Sequence, residues 1–163
     1  MILGVVSDTH NRVDNVDKIV EIFNLHETEL VIHTGDITQA KTLARFSNLK
    51  CPLIGVFGNN DQNEIGLREK AVEINSHFQD PPMFKDFGGK KIAILHDPLD
   101  IDNILNENKS LDLVIHGHTH RYRYEKINGV IVFNPGESAG SIKGKNAIGL
   151  IDLHKLSFSR IFF

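Results

Sequence analysis

The sequence predicts an α/β fold in which two packed β-sheets lie between outer helices. The first half alternates short apolar runs with amphipathic stretches, an order that favours parallel strands joined by crossover helices. The second half carries several strand-like runs separated by Gly-Gly and Asn-Gly pairs, which are typical of hairpin turns. The 163 residues contain no repeat or linker, so we expect one domain over 1–163.

Hydrophobic periodicity predicts five elements in the first half. Continuous apolar runs indicate buried strands, and apolar residues at i, i+3, i+4 and i+7 indicate an amphipathic helix. The predicted elements are a strand at 2–7, a helix carrying Val13 to Phe23, a strand at 30–32, a helix from an N-cap at Thr38 to about Asn48, and a strand at 53–57.

The second half is predicted to be rich in hairpins. Two-residue turns containing glycine flank most of its apolar runs. The predicted elements are a hairpin of 83–87 and 91–95, a short helix at 99–108, a buried strand at 113–115, a hairpin of 122–127 and 130–133, and a final hairpin of 147–153 and 156–163.

Composition excludes several classes of function. The formal net charge is −3 and no run of Lys or Arg occurs, so we expect no stable nucleic-acid complex. No stretch approaches the roughly 20 apolar residues of a membrane span, and the N-terminal apolar run is too short for a signal peptide. Cys51 is the single cysteine, which favours a reducing compartment. We therefore expect a cytoplasmic protein without a membrane partner.

Five polar signatures follow apolar runs, and all are built from Asp, Asn and His. These residue types supply the oxygen and nitrogen ligands of divalent metals, and ligands at several strand ends are expected for a two-metal hydrolytic site. The signatures are Asp8-Thr9-His10, Gly35-Asp36, Gly58-Asn59-Asn60-Asp61, His96 and Gly117-His118-Thr119-His120.

Each signature also has a purely structural interpretation. Asp8 and His10 are two residues apart, so in an extended segment both side chains can reach one metal, but a surface turn explains them equally well. Asp36 alone fits a helix N-cap, and the Asn-Asn-Asp string alone fits a turn. His118 and His120 form the most specific pair, because two histidines at i and i+2 can share one face of an extended segment.

The remaining polar residues near these signatures are expected to support the fold. His33 and His116 are interpreted as packed residues or as supports of a ligand, and Asp97 as an N-cap before Pro98. We expect no special role for His26, His77 and His154.

The order D-x-H, G-D, G-N-x-D, H, G-H-T-H resembles the calcineurin-like metallophosphoesterase superfamily. The short chain and the segment Asn134-Pro135-Gly136-Glu137 are similar to its small bacterial and archaeal phosphodiesterase branch, and the resemblance extends from Met1 to about Gly136. It implies a four-layer α/β/β/α sandwich of two mixed β-sheets flanked by helices. It also implies a metal-dependent phosphodiesterase in which a hydroxide bridging two divalent metals attacks in line.

The resemblance also implies a ligand set. Two divalent metal ions are expected, with Mn²⁺ as the usual choice and Fe, Ni, Zn or Mg also found in the family. The cations bring four positive charges and two carboxylates cancel two, so the site attracts a phosphoryl group. One metal is held by Asp8, His10, Asp36 and His120, and the other by Asp36, Asn59, His96 and His118.

The chain departs from the family pattern at three positions. Many members carry a His after the ligand Asn to protonate the leaving oxygen, whereas this chain has Asn60, which cannot supply a proton. We predict Asn60 and Asp61 as the catalytic residues, with Asp61 orienting a neighbour, and we expect a small phosphodiester with a good leaving group. Asp97 and Glu137 replace a common Gly and Ser, and either carboxylate narrows substrate choice where it faces the pocket.

Other functions remain as alternatives on the same fold. The retromer sorting subunit has this fold with a degraded metal site and acts by protein contact, so a non-catalytic scaffold is one alternative. A phosphomonoesterase or a nuclease is another, because ligands do not determine the substrate class. Residues 161–163 are expected to end a core strand, with a contact in a homo-oligomer as the alternative.

Overall fold

The computed structural model describes residues 1–163 and contains eleven strands in two mixed sheets. Hydrogen bonding orders the first sheet β11-β10-β1-β2-β3-β4 and the second β5-β6-β7-β9-β8. The strands are β1 (Ile2–Val6), β2 (Leu30–His33), β3 (Leu53–Val56), β4 (His77–Gln79), β5 (Met83–Phe87), β6 (Lys90–Ile94), β7 (Leu113–Ile115), β8 (Arg123–Ile127), β9 (Val130–Asn134), β10 (Ala147–Asp152) and β11 (Ser157–Phe162).

Four α-helices accompany the sheets: α1 (Val13–Leu25), α2 (Ala40–Arg45), α3 (Leu67–Glu73) and α4 (Ile101–Glu107). Short 3-10 turns at Phe46–Asn48 and Pro98–Asp100 extend α2 and precede α4. The longest helix has 13 residues, and none is long and apolar enough to cross a membrane.

Parallel pairing brings the carboxyl ends of the central strands together. In the first sheet β1, β2, β3 and β4 run parallel, because α1, α2 and α3 carry the chain back between them. In the second sheet β6, β7 and β9 run parallel, with β5 and β8 antiparallel at the edges. Loops that follow successive parallel strands therefore leave each sheet at one edge.

Three apolar clusters define the layers of the molecule. The central cluster joins residues of both sheets, such as Val5 and Ile32 with Ile94 and Ile115. An outer cluster packs α1, α2 and α3 on the first sheet, and a third packs α4 on the second. The predicted four-layer α/β/β/α sandwich is confirmed, because each sheet buries one face against the other sheet and one face against helices.

The second helix begins later than the sequence analysis predicted. Thr38 is not its N-cap: its φ is 68°, and Gln39 occupies the capping position before Ala40. The backbone N–H of Thr38 donates to the Asp61 carboxylate, a contact from a distant loop that holds it in the left-handed region. The α-helix itself ends at Arg45, and only a 3-10 turn reaches Asn48.

Two short elements were not predicted, α3 and β4. Helix α3 buries only Leu67 and Ala71, a weak periodic signal in seven residues. Strand β4 has three residues and none of them is fully buried, so neither alternation nor an apolar run marks it. Both lie between β3 and β5, and they complete the parallel order of the first sheet.

Candidate metal centre

Loops from both sheets meet where the parallel strands end. Within the first sheet, Asp8 N donates to Gly35 O over 3.1 Å, which joins the loops after β1 and β2. Between the sheets, His96 Nδ1 lies 2.8 Å from Thr34 O, and His118 N donates to Asp8 Oδ2 over 3.2 Å. These hydrogen bonds gather four of the polar signatures at one edge of the sandwich, and Asp36 N, which donates to Asp61 Oδ2 over 2.8 Å, brings in the fifth.

Two glycines permit the close approach of these loops. A Cβ on Gly58 would lie 2.2 Å from Asp36 Oδ1, and a Cβ on Gly117 would lie 2.0 Å from Ser7 Oγ. Side chains at either position would collide with groups that hold the two aspartates. Glycine is therefore required there by packing.

A first group consists of Asp8, His10 and His120. The Nε2 atoms of His10 and His120 are 3.1 Å apart, and the two rings stack with centroids 5.1 Å apart. Asp8 Oδ1 lies 3.5 Å from His120 Nε2 and 3.9 Å from His10 Nε2. Two imidazoles and one carboxylate thus direct three potential ligand atoms to a common point.

A second group consists of Asp36, His96 and His118, and the side-chain oxygen of Asn59 lies beside the two imidazoles. Asn59 Oδ1 lies 2.9 Å from His96 Nε2 and 3.0 Å from His118 Nδ1, and the two nitrogens are 3.2 Å apart. Ligands bound at about 2.1 Å to one cation are separated by roughly 3.0–3.5 Å. Most of the separations in both groups lie in or close to this range, and the 3.9 Å between Asp8 Oδ1 and His10 Nε2 exceeds it.

Asp36 belongs to the second group and also lies close to the first. Its Oδ2 is 3.5 Å from His10 Nε2 of the first group and 3.4 Å from His96 Nε2 of the second. Asn60 holds the same carboxylate, with its N donating to Oδ1 over 3.0 Å and its Nδ2 donating to Oδ2 over 2.8 Å. Burial opposes ionisation, but hydrogen bonds from His96 and Asn60 outweigh it and lower the pKa of Asp36.

Asp8 provides the clearest indication that a cation fits. Its Oδ2 accepts hydrogen bonds from Ser7 Oγ and His118 N, whereas its fully buried Oδ1 has no hydrogen-bond partner in the protein. Burial raises the pKa of Asp8, and Ser7 partly offsets that effect. A divalent cation in the first group would satisfy the one oxygen of the Asp8 carboxylate that has no partner in the protein.

His96 is oriented for ligation by a backbone carbonyl. Because Thr34 O can only accept, His96 Nδ1 carries the proton and donates to it over 2.8 Å. Nε2 then faces Asn59 and Asp36, where a bound cation would replace the proton that hydrogen-bonds to Asp36. Metal-ligating histidines commonly have their second nitrogen fixed in this way.

The Asp61 carboxylate holds the loops after β2 and β3 together and does not point toward the proposed ligand side chains. Its Oδ2 accepts from Asp36 N over 2.8 Å and from Gly58 N over 2.7 Å, and its Oδ1 accepts from Thr38 N over 2.6 Å. Both oxygens are therefore committed to backbone amides. Asp61 thus binds the backbone around Asp36, whereas Asn60 directly contacts the Asp36 carboxylate, and the catalytic roles of both residues stay predictions.

The backbone of the paired signatures differs from the extended form that the sequence analysis assumed. Asp8, His10, His118 and His120 have φ angles of 53°, 37°, 67° and 57°, all in the left-handed region. The assumption of an extended backbone was therefore wrong for both pairs, although Asp8 and His10 still lie in one group. His118 and His120 lie in different groups, because the turn between them directs the two imidazoles apart.

The other polar residues have structural contacts. His33 is fully buried and contacts Thr9 and Gly35. His116 is a separate buried histidine, and burial lowers its pKa to about 4.

Asp97 caps the 3-10 turn through Leu99 N, as predicted, and it also lines a cavity beside the second group. Glu137 is buried away from that cavity and accepts from Ile142 N, so only one of the two unusual carboxylates faces the site.

Ser7 is the residue of this site that the sequence analysis did not single out. Its fully buried hydroxyl donates to Asp8 Oδ2. A serine at the end of an apolar run carries no sequence signal for this role. The contact depends on the turn at Asp8, which brings the carboxylate back toward the preceding residue.

Comparison with known proteins agrees with this geometry. Residues 1–155 match the model of the calcineurin-like phosphoesterase superfamily domain. The chain is 34% identical to phosphodiesterase MJ0936 of Methanocaldococcus jannaschii, over 99% of this chain and 98% of that protein. The solved structure of an archaeal phosphodiesterase superposes over 100% of both chains with 33% identity and a TM-score of 0.91.

A more distant structure shares the fold alone. Vps29 from Entamoeba histolytica in complex with Zn²⁺ covers 99% of both chains with a TM-score of 0.72 at 16% identity. The family match spans nearly the whole chain, and the resemblance inferred from the five signatures is confirmed. The chain therefore belongs to the calcineurin-like phosphoesterase superfamily, and it is a hydrolase of phosphoester bonds.

Proposed function

We propose that this protein is a phosphodiesterase that acts with two divalent cations, one in each group of the metal centre. The observation that carries the proposal is the position of Asp36 Oδ2, 3.5 Å from His10 Nε2 and 3.4 Å from His96 Nε2. A carboxylate in that position can be shared by cations on either side. The name of the 34% identical relative, a phosphodiesterase, supports the reaction class.

The ligand sets of the proposal combine carboxylate, amide and imidazole donors from both sheets. Mixed nitrogen and oxygen ligation favours manganese or iron over magnesium, and we propose manganese. The first cation is assigned to Asp8, His10, Asp36 and His120, and the second to Asp36, Asn59, His96 and His118.

The charge balance favours an anionic substrate. Two divalent cations held by these residues would supply positive charge to the phosphoryl oxygens and would activate water for attack on phosphorus. Asp8 and Asp36 are the only carboxylates assigned as ligands, so the occupied centre keeps a net positive charge. Asn60 Nδ2 donates to Asp36 Oδ2 over 2.8 Å and fixes that carboxylate.

The chain offers little proton donation to the leaving oxygen. Asn60 occupies the position at which many relatives carry His, and an amide cannot protonate an alkoxide. Asp97 lies 3.8 Å from His118 Nε2 and caps a turn with its other oxygen. We therefore propose a preference for phosphodiesters whose leaving groups are stable anions, such as aryl esters.

The alternatives differ in activity. A scaffold resembling Vps29 binds partners without hydrolysis, and a phosphomonoesterase or nuclease uses the same centre on other substrates. Every assigned ligand position in both groups holds a residue that can bind a metal, and this favours an enzyme over a non-catalytic scaffold. A small diester as substrate, a cytoplasmic location and any homo-oligomer remain predictions of the sequence analysis.

Hydrolysis of bis(p-nitrophenyl) phosphate by the Mn²⁺-loaded protein tests the proposal. We expect turnover that EDTA abolishes and that Asp36→Asn reduces at least about 100-fold, because the variant loses a charge shared by both groups. Asp112→Asn, an aspartate outside the centre whose side chain binds Lys90 and Lys91, is the matched control.

Three further substrates separate the alternatives. p-Nitrophenyl phosphate tests monoesterase activity, and single-stranded and duplex DNA test nuclease activity. Faster turnover of the monoester or of DNA contradicts the phosphodiesterase assignment. Absence of turnover on every ester in protein that binds Mn²⁺ favours the scaffold.

A further inference from the structure

The two ring nitrogens of His118 face different surroundings. Nδ1 lies 3.0 Å from Asn59 Oδ1 and 3.2 Å from His96 Nε2, so Nδ1 is the atom that faces the other proposed ligands of the second cation. Nε2 faces a carboxylate instead, with Asp97 Oδ2 3.8 Å away. When Nδ1 binds a cation, the proton of the neutral imidazole resides on Nε2 and needs an acceptor.

The Asp97 carboxylate is anchored through one of its two oxygens. Oδ1 accepts from Leu99 N over 2.9 Å, which caps the 3-10 turn that begins at Pro98. This contact leaves Oδ2 without a backbone donor and on the side of His118. The N-cap therefore explains one oxygen of Asp97 and leaves the other available to the imidazole.

The separation of 3.8 Å between Asp97 Oδ2 and His118 Nε2 is longer than a hydrogen bond. The two side chains are 42% and 40% exposed, so packing does not oppose the small rotation that would bring the atoms into hydrogen-bond distance. Hydrogen bonds in such sites commonly tighten when the site is occupied. The two residues can thus form the carboxylate–histidine–metal arrangement, in which the carboxylate orients the ring and strengthens the ligating nitrogen as a donor.

The other imidazole of the second group already has a support of this kind. His96 Nδ1 donates to Thr34 O over 2.8 Å, and its Nε2 faces Asn59 and Asp36. For His118, the corresponding acceptor is the side chain of Asp97 rather than a backbone carbonyl. Each histidine of the group then has one nitrogen for the cation and one for an acceptor.

We propose that Asp97 is a positioning residue for His118. Its carboxylate orients the imidazole and keeps the proton on Nε2, so that Nδ1 presents a lone pair to the second cation. The inference rests on the proposed function, because that function assigns the second cation to the group that contains His118. In this role Asp97 acts through His118 and contacts neither the substrate nor the cation.

Calorimetric titration with Mn²⁺ tests the inference in Asp97→Asn. Asn is as good an N-cap as Asp, but its single oxygen is then used by Leu99 N and its NH2 group faces the N–H of His118. We expect the affinity of the second group for Mn²⁺ to fall about 10- to 100-fold. Asp97→Ser also keeps a capping oxygen and is too short to reach His118, so we expect the same loss.

The matched control is Asp80→Asn, which removes one negative charge from a side chain of the same cavity that pairs with Arg68. We expect its affinity for Mn²⁺ to stay within about threefold of the wild-type value, because exposed charges are screened. Unchanged affinity in both Asp97 variants overturns the inference. An equal loss in Asp80→Asn also overturns it, since the effect is then one of general charge.

The affected group is identified in His10→Ala, which lacks a ligand of the first group. Asp97→Asn is expected to weaken the Mn²⁺ that this protein still binds by the same factor. If Asp97→Asn leaves that ion unaffected, Asp97 does not act through the second group and the inference is overturned.

Hydrolysis of bis(p-nitrophenyl) phosphate separates positioning from proton donation. A residue that protonates the leaving oxygen lowers kcat without changing the affinity for Mn²⁺, and that result in Asp97→Asn overturns the inference. The metal titrations do not depend on turnover. If the protein binds Mn²⁺ but hydrolyses no ester, the proposed function fails, and a weakened second group in the Asp97 variants still supports the inference. Absence of Mn²⁺ from the second group of the wild-type protein overturns both.

Discussion

His33 has no titratable role in the metal centre, yet its protonation is linked to the stability of the fold. Gly35 N donates to its Nδ1 over 3.0 Å, so the proton resides on Nε2, which donates to Thr9 Oγ1 over 3.2 Å. Burial lowers its pKa from 6.5 to about 3. Between those values the unfolded chain binds a proton that the folded chain does not, so stability is complete above pH 6.5 and falls as the pH is lowered.

Urea denaturation in EDTA at pH 7 and pH 5 measures this linkage. We expect His33 to account for about 2 kcal/mol of the free energy of unfolding lost over that interval. His33→Asn keeps an acceptor for Gly35 N and does not titrate, so its loss is expected to be smaller by that amount. His77→Asn, at an exposed position, is expected to match the wild-type protein. Equal losses in wild type and His33→Asn would contradict the prediction.

At the scale of elements, Asp61 joins the loops after β2 and β3. Its carboxylate accepts backbone N–H groups from Asp36 and Thr38 of one loop and from Gly58 of its own. These contacts fix the turn that carries Asp36 beside the turn that carries Asn59. The neighbouring parallel strands alone set the distance between the two loops but not their conformations.

Replacement of Asp61 by Asn tests this function. The new side-chain amide has only one oxygen, so its NH2 group faces a backbone N–H that has lost its acceptor. We therefore expect Asp61→Asn to lower the free energy of unfolding by about 2–4 kcal/mol. Asp112→Asn is the control, because it removes a carboxylate that accepts from a single backbone N–H, that of Lys91, at a half-buried position. We expect it to lower the free energy of unfolding by less than Asp61→Asn does. Chemical denaturation of both variants without metal compares them. A similar loss in the two variants would argue against the special role of Asp61.

The sequence predicts the strands of this fold better than its loops. Apolar runs identify β1, β2, β3 and β7, because buried parallel strands need continuous hydrophobic residues. Helix α3 and strand β4 bury too few residues to produce a pattern. The left-handed turn at Asp8 and the hydroxyl of Ser7 were not predicted, because each depends on hydrogen bonds from segments far along the chain. Residue types thus indicated the candidate ligands, whereas backbone conformation distributes them between two groups.

At the scale of the whole molecule, both groups of the metal centre span the interface between the sheets. Asp8 and His10 follow β1 of the first sheet, whereas His120 follows β7 of the second. In the other group, Asp36 follows β2 of the first sheet and His96 follows β6 of the second. A cation in either group therefore connects the two halves of the sandwich, and binding is expected to be coupled to the stability of the whole fold.

Thermal unfolding with and without Mn²⁺ measures this coupling. At 100 times the dissociation constant, one site that binds only the folded state adds about 2.7 kcal/mol, or roughly 5–10 °C in Tm for a chain of this size. Asp36→Asn is expected to lose most of the increase, because this residue contacts both groups. Asp112→Asn, outside the centre, is expected to retain it. A Tm that does not respond to Mn²⁺ in wild-type protein would show that cations do not join the sheets, and an equal increase in Asp36→Asn would show that they bind elsewhere.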